Sequence, residues 1–164
     1  MGDQAQLFTW FHEVRIDPSD FDELDHVGNA ALARMLDDAR TDWFRSLEGR
    51  EAGRAVIVRH LTISYEHEFR RGLALRCGVR AIHRTRRGIV IDQALLAAND
   101  GVVVARGQAV HLCFEVSTRT VVPVWPALLA GIERRQRAPL PLVDSSSAGR
   151  LDSPSFESTA NDGF

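Results

Sequence analysis

Hydrophobic and polar positions divide the chain into one segment with a helical period and several with a period of two. Leu32, Met35, Leu36, Ala39, Trp43, Phe44 and Leu47 recur at three- and four-residue steps, a stripe that predicts one long helix starting at Asn29. Arg34, Asp37, Asp38, Arg40 and Asp42 take the other faces, and Gly49 supplies the stop. Before the helix, residues 8–16 mix aromatic and β-branched side chains and end at Asp17-Pro18, which reads as a strand and its terminator. After it, residues 55–69 alternate, with Ile57, Leu61, Ile63, Tyr65 and Phe69 opposite His60, Thr62, Ser64, Glu66 and Glu68. Arg70-Arg71-Gly72 makes a turn whose arginines are expected to be solvated, and residues 73–84 alternate again. Residues 89–98 are apolar nearly throughout, as in a deeply buried strand. Asn99-Asp100-Gly101 signals a hairpin into a strand over 102–116, and 120–124 form a short fifth run after the Ser117–Arg119 turn. Trp125-Pro126 opens a brief helix that ends near Gln136.

This order predicts an α+β domain over residues 1–137, one long helix against an antiparallel sheet. One helix cannot cover both faces of so broad a sheet, and a free sheet edge invites pairing. A homo-oligomer, either a dimer or a dimer of dimers, is the expected remedy. Residues 138–164 are rich in Pro, Ser and Gly with no period, and are expected to form a disordered tail.

Composition narrows the chemistry. The chain has 164 residues and a net charge of −2, which argues against a general nucleic-acid or anionic-membrane partner. No apolar run approaches the ~20 residues of a membrane span. The polar start Met1-Gly2-Asp3-Gln4 shows no secretory signal, so a cytoplasmic location is expected. Cys77 and Cys113 stand singly in apolar segments, without metal-ligand spacing. All 20 basic residues are arginine. The absence of lysine excludes Schiff-base chemistry and the phosphate-binding lysine of a P-loop.

Asp17 to Asn29, between strand and helix, holds four aspartates, a glutamate, a histidine and an asparagine in thirteen residues. Acids there suit a helix N-terminus through its dipole. Val27 and Gly28 within the cluster suggest a backbone that turns inward, where a carboxylate can serve as nucleophile or general base on an ester-like substrate. The spacing is not that of a calcium loop. A second cluster, Arg84-Thr85-Arg86-Arg87-Gly88, joins two strands. It reads either as an ordinary basic connection or as a phosphate site, since guanidinium forks suit phosphate oxygens.

Asp20-x-Asp22-x-x-Asp25-His26-Val27-Gly28-Asn29, followed by Leu36-Asp37-Asp38-Ala39-Arg40, resembles the signature of the hotdog-fold acyl-CoA thioesterases of the 4-hydroxybenzoyl-CoA thioesterase class. The resemblance covers about residues 8–136 and implies a hotdog fold with one long helix on a five- to six-stranded antiparallel sheet. It implies hydrolysis of an acyl-CoA or acyl-carrier-protein thioester, without metal or cofactor. By position, Asp22 matches the catalytic carboxylate, Asp20 the outer aspartate, and His26-Val27 a common loop variant. Asn29 matches a residue near the acyl group. Thr85, Arg86 and Arg87 match the basic run that holds coenzyme A phosphates. In hotdog dimers the strand carrying His60 lies near the partner's active-site loop. Asp25 departs from the family's glycine, Gly28 from its first asparagine, and Leu32 from an aromatic residue. Asp25 is therefore expected where the backbone is left-handed, a conformation Asp tolerates better than most. His26 is expected either to orient substrate or to pin the loop. Two other functions stay open: a non-catalytic thioester-binding domain, and an acyl-CoA hydratase-type lyase.

Overall fold

The computed structural model describes residues 4–144. Helix α1 spans Asn29–Arg45, and its predicted stripe is buried: Leu32, Met35, Leu36, Ala39, Trp43 and Phe44 all face the sheet. The strands are β1 (Phe11–Glu13), β2 (Arg54–Tyr65), β3 (Leu75–Arg84), β4 (Gly88–Ala97), β5 (Val103–Glu115) and β6 (Thr120–Val121), and Pro126–Gln136 form helix α2. All strand pairs are antiparallel, in the order β1-β3-β4-β5-β2, with β6 beside the end of β5. A long helix cradled by one antiparallel sheet is the expected α+β hotdog arrangement.

The inner face of the sheet follows from register. Val79, Gln93, Gly107 and Ile63 lie across from one another. Gln93 Nε2–H donates to the Leu36 carbonyl at 2.7 Å, and Arg40 donates to Gln93 Oε1 at 2.8 Å. These fully buried groups are satisfied by each other, so they tie α1 to the sheet rather than weaken the core. Ile63 and Val56 pack on the inner core, whereas His60 bonds Thr62 two residues on, along the outer face.

Three boundaries differ from expectation. The first strand is only Phe11–Glu13, because Phe8 leaves the strand line to lie on the outer face over Gly78. There it joins Ala94, Leu96 and Val103 in a second small core. The long strand ends at Tyr65 rather than residue 69, since Glu66 and His67 donate their N–H groups to the Val104 carbonyl and Phe69 turns under Val27. The segment after Gln136, expected to be disordered from residue 138, instead docks at its start. Leu140 is buried, Arg84 N–H donates to the Pro141 carbonyl, and Val143 N–H donates to the Arg84 carbonyl. The two leucines spaced by proline carried no helical or strand period, but β3 offered an edge. Residues 145–164 of the expected tail lie outside the described residues. No described helix is long and apolar enough to cross a membrane.

Candidate functional site

The acidic segment folds as a tight loop against the N-terminus of α1. Phe21 and Val27 bridge in antiparallel fashion, Asp22 N–H donates to the His26 carbonyl at 2.8 Å, and Gly28 N–H donates to the Asp20 carbonyl at 2.9 Å. Val27 is the loop's inward anchor: it is buried, and its N–H reaches the Phe69 carbonyl. Asp25 adopts φ +64°, the left-handed conformation expected where the glycine would stand. Its carboxylate meets Arg71 Nε at 2.7 Å, and the same guanidinium lies over the Phe21 ring. Arg71, expected to be solvated, is thus the counter-charge of the residue that departs from the family pattern. A charge placed where relatives have none was the available sequence signal.

The two aspartates have different surroundings. Asp20 is nearly buried; both its oxygens accept from Arg34, at 2.8 and 2.9 Å, and Oδ2 also accepts the Asp17 N–H. Arg34 continues to Asp38. Burial alone would raise the Asp20 carboxyl, but the Asp17 N–H and the Arg34 guanidinium outweigh it and hold the group below its ordinary value. Asp22 is exposed. Its Oδ1 accepts the N–H groups of Leu24, at 2.9 Å, and His26, at 3.0 Å. The His26 N–H is the main cause that lowers the Asp22 carboxyl below its usual range; desolvation opposes it, and the Leu24 N–H and the His26 charge add to the lowering. The result is an ionised carboxylate with one oxygen anchored and the other unpaired among the described residues.

Asn29 is the first residue of α1; its carbonyl accepts the Tyr65 hydroxyl at 3.4 Å. The cap is Gly28, so no side chain satisfies the first-turn N–H groups, and the first turn carries no acid. A helix N-terminus left open in this way presents donors and a positive dipole end. His26 is mostly buried, with Nε2 3.4 Å from a Glu68 oxygen, and its main chain closes the loop in both directions. This favours the pinning role over the orienting one.

Thr85, Arg86 and Arg87 form the β3–β4 turn, closed by Thr85 N–H donating to the Gly88 carbonyl. Both arginine side chains are exposed. They lie at the far end of the sheet from Asp22. Gly88 pairs through Leu112 with Ile57, whereas Tyr65, beside α1, pairs through Ala105 with Leu95. Seven residues of β4 separate those two lines, about 24 Å at ~3.4 Å per residue. Within one chain the structure therefore brings together Asp22, His26 and Asn29, and keeps Thr85, Arg86, Arg87 and the outward-facing His60 apart from them. Among the described residues no group of three or more His, Cys, Asp or Glu side chains is arranged to hold a metal ion.

Residues 16–132 match the family model of the Thioesterase-like superfamily. No curated protein sequence matches the chain. Among solved structures, a Thermus thermophilus thioesterase complexed with coenzyme A and Zn superposes with a TM-score of 0.71 at 22% identity, over 85% of this chain and 100% of that one. A Staphylococcus aureus hypothetical protein in complex with CoA gives 0.71 at 12% identity, over 85% and 91% of the two chains. A 1,4-dihydroxy-2-naphthoyl-CoA thioesterase from Synechocystis gives 0.65 at 18% identity, over 75% and 94%. At such identities these likenesses establish the fold.

Proposed function

From the premise that the chain belongs to the thioesterase-like superfamily, we propose that it hydrolyses acyl-CoA thioesters with Asp22 as general base or nucleophile. The observation that carries this reading is the ionised, half-anchored Asp22 carboxylate beside an uncapped helix N-terminus. The substrate carbonyl oxygen takes its hydrogen bonds from the first-turn N–H groups of α1, which stabilise the charge that develops on it. The free Asp22 oxygen accepts a proton from water as the water oxygen bonds to the carbonyl carbon, or attacks that carbon itself. In the first route the C–S bond then breaks, the thiolate takes up the proton held by Asp22 and the acid is released. In the second, C–S cleavage leaves a mixed anhydride on Asp22. A water hydrolyses it to free the acid and regenerate the carboxylate, and the thiolate takes a proton from that water. His26 and Asp20 hold the loop, and Asn29 sits at the acyl group.

Coenzyme A in the Thermus thermophilus and Staphylococcus aureus structures supports a CoA thioester as substrate. Arg86 and Arg87 would then hold the coenzyme's phosphates. Because they lie at the opposite end of the sheet from Asp22, they complete the site from a second copy of the chain. Antiparallel pairing of β2 with its own copy, about the middle of the strand, sets each Asp22 loop beside the other chain's β3–β4 turn. The edge of β2 is open to such pairing.

Thiol release from a panel of acyl-CoAs, read with a thiol reagent, tests the activity. Asp22→Asn is expected to fold and to lose ~10²–10⁴-fold in turnover. Tight binding of acyl-CoA without thiol release by the unmodified protein would instead identify a thioester-binding domain. Single turnover in ¹⁸O-water separates the two routes, since label enters Asp22 only if it is the nucleophile.

A further inference from the structure

The hold on the Asp22 carboxylate depends on one left-handed residue. Oδ1 accepts the N–H groups of Leu24 and His26, at 2.9 and 3.0 Å, which stand on either side of Asp25. Asp25 N–H itself donates to the Asp22 carbonyl at 3.1 Å. Neighbouring N–H groups converge on an anion where the backbone switches into the left-handed region, and Asp25, at φ +64°, supplies that switch. A side chain with a Cβ is strained there.

Arg71 opposes the strain from outside the loop. Its Nε donates to Asp25 Oδ1 at 2.7 Å, and its guanidinium carbon lies 4.1 Å from the centroid of the Phe21 ring. One side chain thus grips the loop on both sides of Asp22. The segment that carries Arg71 is itself fixed to the loop. The Phe69 carbonyl accepts the Val27 N–H, and Arg70 bridges to His26 in antiparallel fashion. The other charges around the loop are Asp20 with Arg34 on α1, the exposed Glu23, and His26 with Glu68, which also meets Arg70. Asp25 adds a carboxylate three residues from Asp22, and Arg71 is its counter-charge. Both partners are about half exposed, so the pair adds little to global stability and acts locally.

We propose, resting on the reading of Asp22 as base or nucleophile, that Arg71 is its positioning residue. Arg71 holds Asp25 left-handed, keeps the Leu24 and His26 N–H groups on Oδ1, and cancels the Asp25 charge beside the reacting carboxylate. A small displacement of a reacting group costs far more in rate than in stability.

The test is Arg71→Gln, an exposed change that leaves the core intact, with Arg70→Gln as the neighbouring control. The Asp22 carboxyl is followed across pH in the substrate-free chain by its ¹³Cγ resonance, and thiol release from acyl-CoA is measured beside it. Loosened N–H groups and an uncancelled Asp25 charge both disfavour the carboxylate, so the Asp22 midpoint is expected to rise in Arg71→Gln. The acid limb of kcat/KM should move to higher pH with it. Turnover should fall about 5-fold with KM little changed, the most that an exposed ion pair commonly contributes. Arg70→Gln should move none of these. In an Asp25→Gly background, where glycine turns left-handed freely and brings no charge, Arg71→Gln is expected to shift neither midpoint nor turnover. An unmoved Asp22 midpoint in Arg71→Gln, an equal shift in Arg70→Gln, or the same shift in the Asp25→Gly background would each overturn the proposal. The titration needs no substrate, so failure of the clamp is told apart from failure of the hydrolytic reading, which Asp22→Asn tests.

Discussion

Asp20 and Asp22 stand two residues apart and show how little residue type says without surroundings. Asp20 spends both oxygens on Arg34 and the Asp17 N–H, so its removal is a stability matter. Asp20→Ala is expected to cost on the order of 1–3 kcal/mol in denaturant unfolding, the scale for a charged hydrogen-bonded group. Both carboxyls lie below their ordinary 3.8 in the folded chain. A depressed folded value means the carboxylate's stabilisation is full above the unfolded value and is lost as pH falls through the folded one. Acid unfolding should therefore steepen below about pH 3.8, and less so in the Asp20→Ala chain. Asp25 offers a third contrast. At φ +64° a glycine would relax the backbone but lose the exposed pair with Arg71, worth about 1 kcal/mol or less. Asp25→Gly should change stability little, whereas Asp25→Val, β-branched in the left-handed region, should lower the melting temperature clearly.

At the scale of elements, the close approach of α2 to the end of α1 depends on two glycines. A Cβ at Gly131 would sit 2.1 Å from the Glu48 carbonyl oxygen, and one at Gly49, where φ is +83°, would sit 2.0 Å from that of Ala127. Backbone cannot yield as a side chain does. Gly131→Ala is expected to cost at least the ~1–3 kcal/mol of core overpacking, measured by thermal or denaturant unfolding. The segment after α2 makes a parallel point. Leu140 is buried and its N–H donates to Glu133 Oε1 at 2.9 Å. Leu140→Ala should cost ~2–5 kcal/mol, an outcome that a free tail from residue 138 would not produce.

For the whole molecule, the decisive geometry is the separation of Asp22 from Arg86 and Arg87 along one sheet. If each site draws the carboxylate from one chain and the arginines from its copy, a hybrid dimer of Asp22→Asn with Arg86→Ala/Arg87→Ala carries one intact site and one doubly impaired. Random mixing makes half the dimers hybrid, so roughly a quarter of the original activity at low substrate should return in a two-fold assembly. No recovery would mean the arginines serve another purpose. Alone, the double arginine change should raise the apparent KM for acyl-CoA and weaken its salt dependence, with turnover at saturation little altered. Thioesters on a pantetheine arm, lacking the nucleotide phosphates, should be indifferent to it. Gel filtration should show a dimer or a dimer of dimers.

Periodicity was enough for α1, β3 and much of β2, because a helix or strand buried on one face must repeat its apolar positions at its own period. Apolar runs between turn signals marked β4 and β5. The bulge that turns Ile57 away from the face of Leu61 and Ile63 was not visible. The acidic cluster before α1 marked the Asp22 loop, and the family resemblance, with Asp25 in the place of its glycine, implied the left-handed position found there. The roles within the loop were not legible, since Asp20 and Asp22 differ only in which groups the folded chain sets around them. The Asp25–Arg71 pair, spanning 46 positions, joins residues whose proximity depends on how β2 returns past α1. The docking of Leu140 and the outward aim of His60 also belong to the tertiary structure. Leu140 docks because β3 offers an edge to a segment far along the chain, and His60 faces outward through the register of β2 on β5, where a one-residue change would turn it to the other face.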